Sequence, residues 1–357
     1  MSSHFEQVHK RHRAPCIALF IAASFLLAST APGQSQSEQA TELVRNAQAA
    51  LDKGDFADAI RDLERARQLR PHQLDVLRPL LFSYLQAGDV ASATALGREA
   101  ISIAPGDAEV HHLLGLAYFK GGELGTAASE LQQASKLAPK DPAISFDLAL
   151  VLLSEQDYRA AANALETSLK LDSSNALAHT LLGRAYLNTN RSTEAIEQFR
   201  TGLHLDPNVP LGHYHLGFAY ASLGRTREAI QEYDNEVARS PQNPEVHYQL
   251  ARCLLETGDT QQALVHLRRA TEGDPRNGNA FYELGKALAQ QGENASAIAA
   301  LQHAAELNSN DPSPHYLLAR LLEKSGHKEE ARAEWQRFGE LKKTQPQVGG
   351  MATGRTQ

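Results

Sequence analysis

The residues with chemistry to offer recur at fixed intervals. Tyr214, Tyr248, Tyr282 and Tyr316 stand 34 residues apart, and four residues after them come Phe218, Arg252, Lys286 and Arg320; Arg184 fills the same slot one interval earlier. Four residues make about one helical turn, so Tyr248/Arg252, Tyr282/Lys286 and Tyr316/Arg320 are predicted to stack as aromatic–cation pairs on one face. In a chain of net charge −7, such a strip suits a partner that carries acidic groups. A second reading stands beside it: the tyrosines pack between neighbouring helices, and the cations pair with Glu245, Glu256, Glu283 and Glu323. His111, His179, His213, His247 and His315 also recur at one or two intervals. Equivalent residues on neighbouring helices lie roughly 8–10 Å apart, whereas shared coordination needs ligand atoms about 2 Å from one ion. With no HExxH either, these histidines are read as core or helix-interface residues, and no metal is expected. There is no GxSxG, no GxxxxGK[ST] and no GxGxxG after a strand, while Glu130, Glu166 and Glu197 read as solvated helix residues. Neither catalytic residues nor a cofactor are expected.

The elements that must position these residues follow from the same interval. Written in rows of 34 from Ala40, the chain places alanine at the twentieth position of every row, from Ala59 to Ala331, and leucine at the seventh of rows two to nine, from Leu80 to Leu318. The eighth position is small in eight rows, the fifteenth is glycine in seven and the thirty-second is proline in six. Positions 4, 7, 8 and 11 share a helix face, as in His111, Leu114, Gly115 and Tyr118. Glycine at 15 ends that helix, a second helix carries apolar residues at 20, 24 and 27, and proline at 32 stops it. Small residues at 8, 20 and 27 allow close approach of helix axes, and large ones at 7 and 24 fill between. One such pair cannot bury its face alone, so stacked pairs supply the core and the fold is an all-α solenoid. Nine rows fit without insertion, starting at 40, 74, 108, 142, 176, 210, 244, 278 and 312 and ending at 345. Residues 34–39 read as a short linker and 346–357 as a flexible tail. Rows four, five and six depart locally, with Gln156 and Asn190 at the turn and Glu236 at position 27. Cys253 falls at position 10, where other rows carry alanine, and reads as a small buried residue.

This pattern resembles the tetratricopeptide repeat (TPR) family. The resemblance implies a right-handed superhelix whose first helices line a concave groove, largely through positions 2, 5, 9, 12 and 13. The groove would then be tyrosine-rich and basic toward the C-terminus (Arg184, Tyr214, Phe218, Tyr248, Arg252, Tyr282, Lys286, Tyr316 and Arg320). Toward the N-terminus it would be apolar (Phe82, Leu85, Leu116, Phe119, Leu150 and Leu153). The expected function is a non-enzymatic scaffold or adaptor binding a peptide segment or partner tail. An anionic or sugar polymer as ligand, or a passive membrane-anchored spacer, are the alternatives.

Composition sets the remaining bounds. With 35 Lys+Arg against 42 Asp+Glu the chain is not a general nucleic-acid binder, and its 2 cysteines make no disulfide scaffold. Lys10, Arg11 and Arg13 precede the apolar run from Cys16 to Ala28, and the small residues Ser29, Ala31 and Gly33 follow it. Residues 1–33 have the layout of a secretory signal, which predicts a periplasmic or secreted protein; retention of 14–31 as an anchor is the alternative. Contact with a membrane is expected only through this segment.

Overall fold

The computed structural model describes residues 32–344, with side chains from Ser35 onward. Most of the expected targeting segment, and the expected tail 346–357, lie outside the described residues. Those described form 18 helices and no strand, and the chain divides into one compact unit up to Ser83 and another from Tyr84.

In the first unit, α1 (Pro32–Lys53) packs along α2 (Phe56–Leu69), and the start of α3 (Leu74–Ala87) contributes buried Val76, Leu77, Leu80 and Leu81. The stretch 34–39, expected as a linker, is instead part of the opening turns of α1. It contains neither glycine nor proline, its Gln and Glu are good helix formers, and buried Ala40 and Ala47 fix the helix that these residues extend.

The second unit continues through the end of α3 and α4 (Val90–Ile103) into seven helix pairs: α5 (Ala108–Lys120) with α6 (Leu124–Leu137), α7 (Pro142–Ser154) with α8 (Tyr158–Leu171), α9 (Ala176–Asn188) with α10 (Ser192–Leu205), α11 (Gly212–Ser222) with α12 (Thr226–Arg239), α13 (Pro244–Thr257) with α14 (Thr260–Gly273), α15 (Gly278–Gln290) with α16 (Asn294–Leu307), and α17 (Pro312–Lys324) with α18 (Lys328–Thr344). Each second helix packs on the next first helix, and neighbouring first helices touch, as α9 with α11 and α13 with α15. The unit is an all-α solenoid.

Local chemistry explains the punctuation. The turn inside a pair needs a left-handed residue, supplied by glycine at Gly122 (φ 80), Gly224 (φ 69) and Gly258 (φ 88). Gln156 (φ 63) and Asn190 (φ 60) adopt the same conformation, so rows four and five keep their turn at a steric cost that glycine escapes. Asp or Asn before the first helix caps it: Asp107 accepts from Val110 N at 3.0 Å and Asn175 from Ala178 N at 3.0 Å. In the core, the alanines at position 20 are almost wholly buried. In rows five and six, where position 24 is Phe199 or Tyr233, position 8 is glycine. A methyl group on Gly183 would lie 2.6 Å from the Phe199 ring, and one on Gly217 would lie 2.9 Å from Tyr233.

The histidine ladder faces the interface within each pair, against position 23 of the second helix. His111 meets Glu130 at 2.6 Å, His213 meets Glu232 at 2.7 Å, His315 meets Glu334 at 2.6 Å, His179 meets Gln198 at 2.7 Å, and His247 meets His266 at 2.9 Å. Glu130 is therefore no idle solvated residue. Nor is Glu166, which accepts from the Tyr186 hydroxyl at 2.8 Å.

Row six departs furthest. Position 27 lies against the start of its own first helix, as the bond from Ser168 Oγ to Pro142 O at 2.8 Å shows. Glu236 is 3% exposed in that slot, and α11 begins only at Gly212, behind Leu211 at φ 56. Leu211 supplies no side-chain cap; Tyr214 N donates to Glu236 Oε2 at 3.2 Å instead.

Candidate functional site

The first helices of rows five to nine carry the predicted strip, and burial grades it. Tyr214 is half-buried, its ring centroid 5.2 Å from His215 and 6.0 Å from Tyr233; desolvation first, then Glu245, push its hydroxyl up to about 12. Tyr248 and Tyr282 are half-buried too, and desolvation raises both. Tyr316 and Phe218 lie open, 38% and 41% exposed. Exposure thus rises from Tyr214 to Tyr316, whose ring still packs 5.5 Å from both Trp335 and Phe338.

The cations decide more. The guanidinium groups of Arg252 and Arg320 each stand 5.8 Å from the ring centroid of the tyrosine one turn earlier, as the spacing predicts. Lys286 differs: its Nζ lies 3.0 Å from Glu283, because that carboxylate one turn away offers a stronger partner than the Tyr282 ring. The other acids nearby make contacts elsewhere. Glu245 accepts from Gln249 at 2.7 Å, Glu256 from Thr226 at 3.2 Å and Glu323 from Trp335 Nε1 at 3.0 Å. Arg252 is held by Gln249 at 3.2 Å. Among the described residues, neither Arg252 nor Arg320 meets a carboxylate. Arg184 is half-buried, and its charge helps desolvation push His215 down to about 3.

Between α13 and α15 lies a pocket of about 250 Å³ lined by Arg252, Leu255, Glu256, Glu283, Lys286, Ala287 and Gln290. Small-molecule sites typically occupy roughly 300–1,000 Å³, so this space suits one side chain of a larger ligand. Its apolar stem wall and mixed-charge rim match that use.

The apolar half is less accessible than expected. Leu85 and Leu116 are 2% and 4% exposed and belong to the core; packing of helices, not an open surface, claims them. Phe119, Leu150 and Leu153 are half-buried in the second unit, and Phe82 in the first. A polar pair interrupts this region, His112 Nε2 lying 2.7 Å from Asp147, which is 2% exposed. Nothing in the row pattern signals that pairing, since it joins position 5 of one row to position 6 of the next. Cys253 is 4% exposed and its thiol is pushed up to about 11, chiefly by burial. No cluster of three or more His, Cys, Asp or Glu suited to a metal occurs among the described residues.

Family models described as tetratricopeptide repeat match residues 146–210 and, with a second model, 50–116, 84–150, 220–282, 254–312 and 288–351. Together they span well over half of the chain. No curated protein matches significantly. Among solved structures, the APC/C hetero-tetramer Cut9-Hcn1 is 17% identical with TM-score 0.52, over 82% of this chain and 57% of that one. The C-terminal part of a TPR repeat-containing protein from Cytophaga hutchinsonii is 16% identical with TM-score 0.55, over 65% of this chain and 95% of that one. YrrB, described as a TPR protein with an unusual peptide-binding site, is 24% identical with TM-score 0.47, over 53% and 98%. The first two likenesses concern the fold alone, and the third carries no argument about this chain.

Proposed function

Because this chain belongs to the tetratricopeptide repeat family, we propose that it is a non-enzymatic scaffold that holds an acidic peptide segment or partner tail against its first-helix face. The repeats indicate protein–protein interaction; the side chains narrow the partner. One observation carries the reading: Arg252 and Arg320 stand over tyrosine rings and, among the described residues, meet no carboxylate. An incoming acidic group can form a charge-assisted bond there without first breaking an internal one. The neighbouring pocket would take a side chain of the same segment. Export to the cell envelope is part of the proposal, supported by the basic, apolar and small-residue order of residues 10–33. Fractionation of the host with N-terminal sequencing tests it, and a full-length chain in the membrane fraction would favour the anchor.

Fluorescence anisotropy with acidic peptides, beside counterparts carrying Asn and Gln for Asp and Glu, tests the site. Arg252→Glu with Arg320→Glu is expected to weaken acidic-peptide binding tenfold or more with helical content unchanged, since surface changes usually stay within about ±0.5 kcal/mol. Binding should weaken with added salt as the Debye length falls from about 10 Å at 0.1 M to about 3 Å at 1 M. A double variant that binds as well as the parent removes the strip from consideration. Competition by polysaccharide and not by peptide would transfer the site to a polymer.

A further inference from the structure

We propose that the His247–His266 pair is an acid-triggered joint: protonating both rings parts α13 from α14, the helix pair whose first member supplies one wall of the pocket. Of the five histidine rungs, four set a carboxylate or an amide opposite the ring, at Glu130, Gln198, Glu232 and Glu334. Only here, among the described rungs, does imidazole meet imidazole. The two Nδ1 atoms are 2.9 Å apart, with ring centroids 5.2 Å apart and planes 30° apart. His247 Nε2 lies 3.0 Å from Pro241 O. A carbonyl only accepts, so Nε2 carries the hydrogen, and Nδ1 of the neutral ring offers a lone pair. His266 Nδ1–H donates into it.

One hydrogen fits that gap. With both rings protonated, two N–H groups and two positive charges face each other. A glutamate rung responds in the opposite sense, because an imidazolium opposite a carboxylate forms a charge-assisted bond. The charged groups of the packed helices among the described residues are engaged elsewhere. Arg268 and Arg269 of α14 face Glu293 and Glu272, and Glu245 of α13 faces Gln249. Glu236 of α12 takes Tyr214 and Ser240, and Glu283 and Lys286 of α15 take each other. Among the described residues, no carboxylate or lysine or arginine cation pairs with either ring. Burial first, and His247 second, hold His266 below its ordinary 6.5. A depressed histidine contributes stability that is present above 6.5 and lost as pH falls through the folded-state value.

Amide hydrogen exchange on the whole chain at about pH 7.5 and pH 5, corrected for intrinsic rates, reads the opening directly and needs no ligand. Protection of residues 244–273 should fall by up to about tenfold per unit of depression. H266Q and H266E rebuild rungs the molecule already uses, at His179–Gln198 and His111–Glu130. Circular dichroism at pH 7.5 should show both folded, and both should keep their protection at pH 5. Equal loss in the parent and in these variants overturns the joint, as does unchanged protection of the parent at pH 5.

Discussion

At the scale of single residues, shape and protonation act through identifiable neighbours. Gly183 faces the Phe199 ring so closely that Gly183→Ala must displace an aromatic group. Overpacking of this kind costs about 1–3 kcal/mol, to be read from chemical denaturation. Rows that place Leu165 or Leu267 at the same site tolerate Ala149 or Ala251 opposite. Adding Phe199→Leu to Gly183→Ala should therefore recover a good part of the loss, and the double-mutant cycle measures the coupling. His215 makes a separate prediction. Its ring stacks on Phe199 with centroids 5.7 Å apart, and desolvation with Arg184 holds it near 3. It is neutral when folded, whereas the unfolded chain takes up a proton below 6.5, so stability falls with acid on the order of 1–2 kcal/mol by pH 5. His215→Phe should flatten that part of the denaturation midpoint against pH. A variant that keeps the full slope would assign the acid response elsewhere.

At the scale of elements, polar contacts between helices replace what a regular row would supply. Glu236 occupies the place of a small residue and caps α11 from the neighbouring helix. Glu236→Ala would remove the partner of Tyr214 N without restoring a cap at Leu211, and should cost about 1–2 kcal/mol, with Glu236→Gln costing less. Thermal unfolding of the two variants compares them directly. Neighbouring pairs are tied through position 11 of the first helix. The Tyr186 hydroxyl donates to Glu166 at 2.8 Å with Arg191 packed 3.9 Å over the ring, and Arg98 Nε donates to Tyr118 at 2.7 Å. Tyr186→Phe should lose about 1 kcal/mol while leaving its ring packed. In rows seven to nine the same position is Leu254, Leu288 or Leu322, so there the contact is apolar.

At the scale of the molecule, a repeat interacts mainly with its neighbours, so stability is approximately a sum over pairs and interfaces. Excising residues 278–311 removes one full interval and leaves Asn277 to cap the helix starting at Pro312. Helicity per residue by circular dichroism should be unchanged. The pocket, deprived of Lys286 and Glu283, should be lost, and acidic-peptide binding should fall with it. Collapse of helicity on this deletion would show that row eight carries more than a nearest-neighbour role.

The interval of 34 determined the helices, their turns and the small-against-large packing. Alanine at position 20, glycine or a tolerated substitute at 15 and a stop at 32 act through local backbone rules and helix-face geometry, both legible in one dimension. The aromatic–arginine stacking at Tyr248/Arg252 and Tyr316/Arg320 was legible for the same reason, as a one-turn spacing. Partner choice was not. Glu256 for Arg252, and Glu283 or Tyr282 for Lys286, are competing one-turn neighbours on a single helix that spacing alone does not rank, while the burial of Leu85 and Leu116 depended on packing between segments tens of residues apart. The histidines show the division most plainly. Their recurrence marked a shared environment, and the absence of metal geometry assigned them to an interface. Only the packing of position 4 against position 23 revealed that each has a partner on its own second helix, and that at His247 the partner is another histidine.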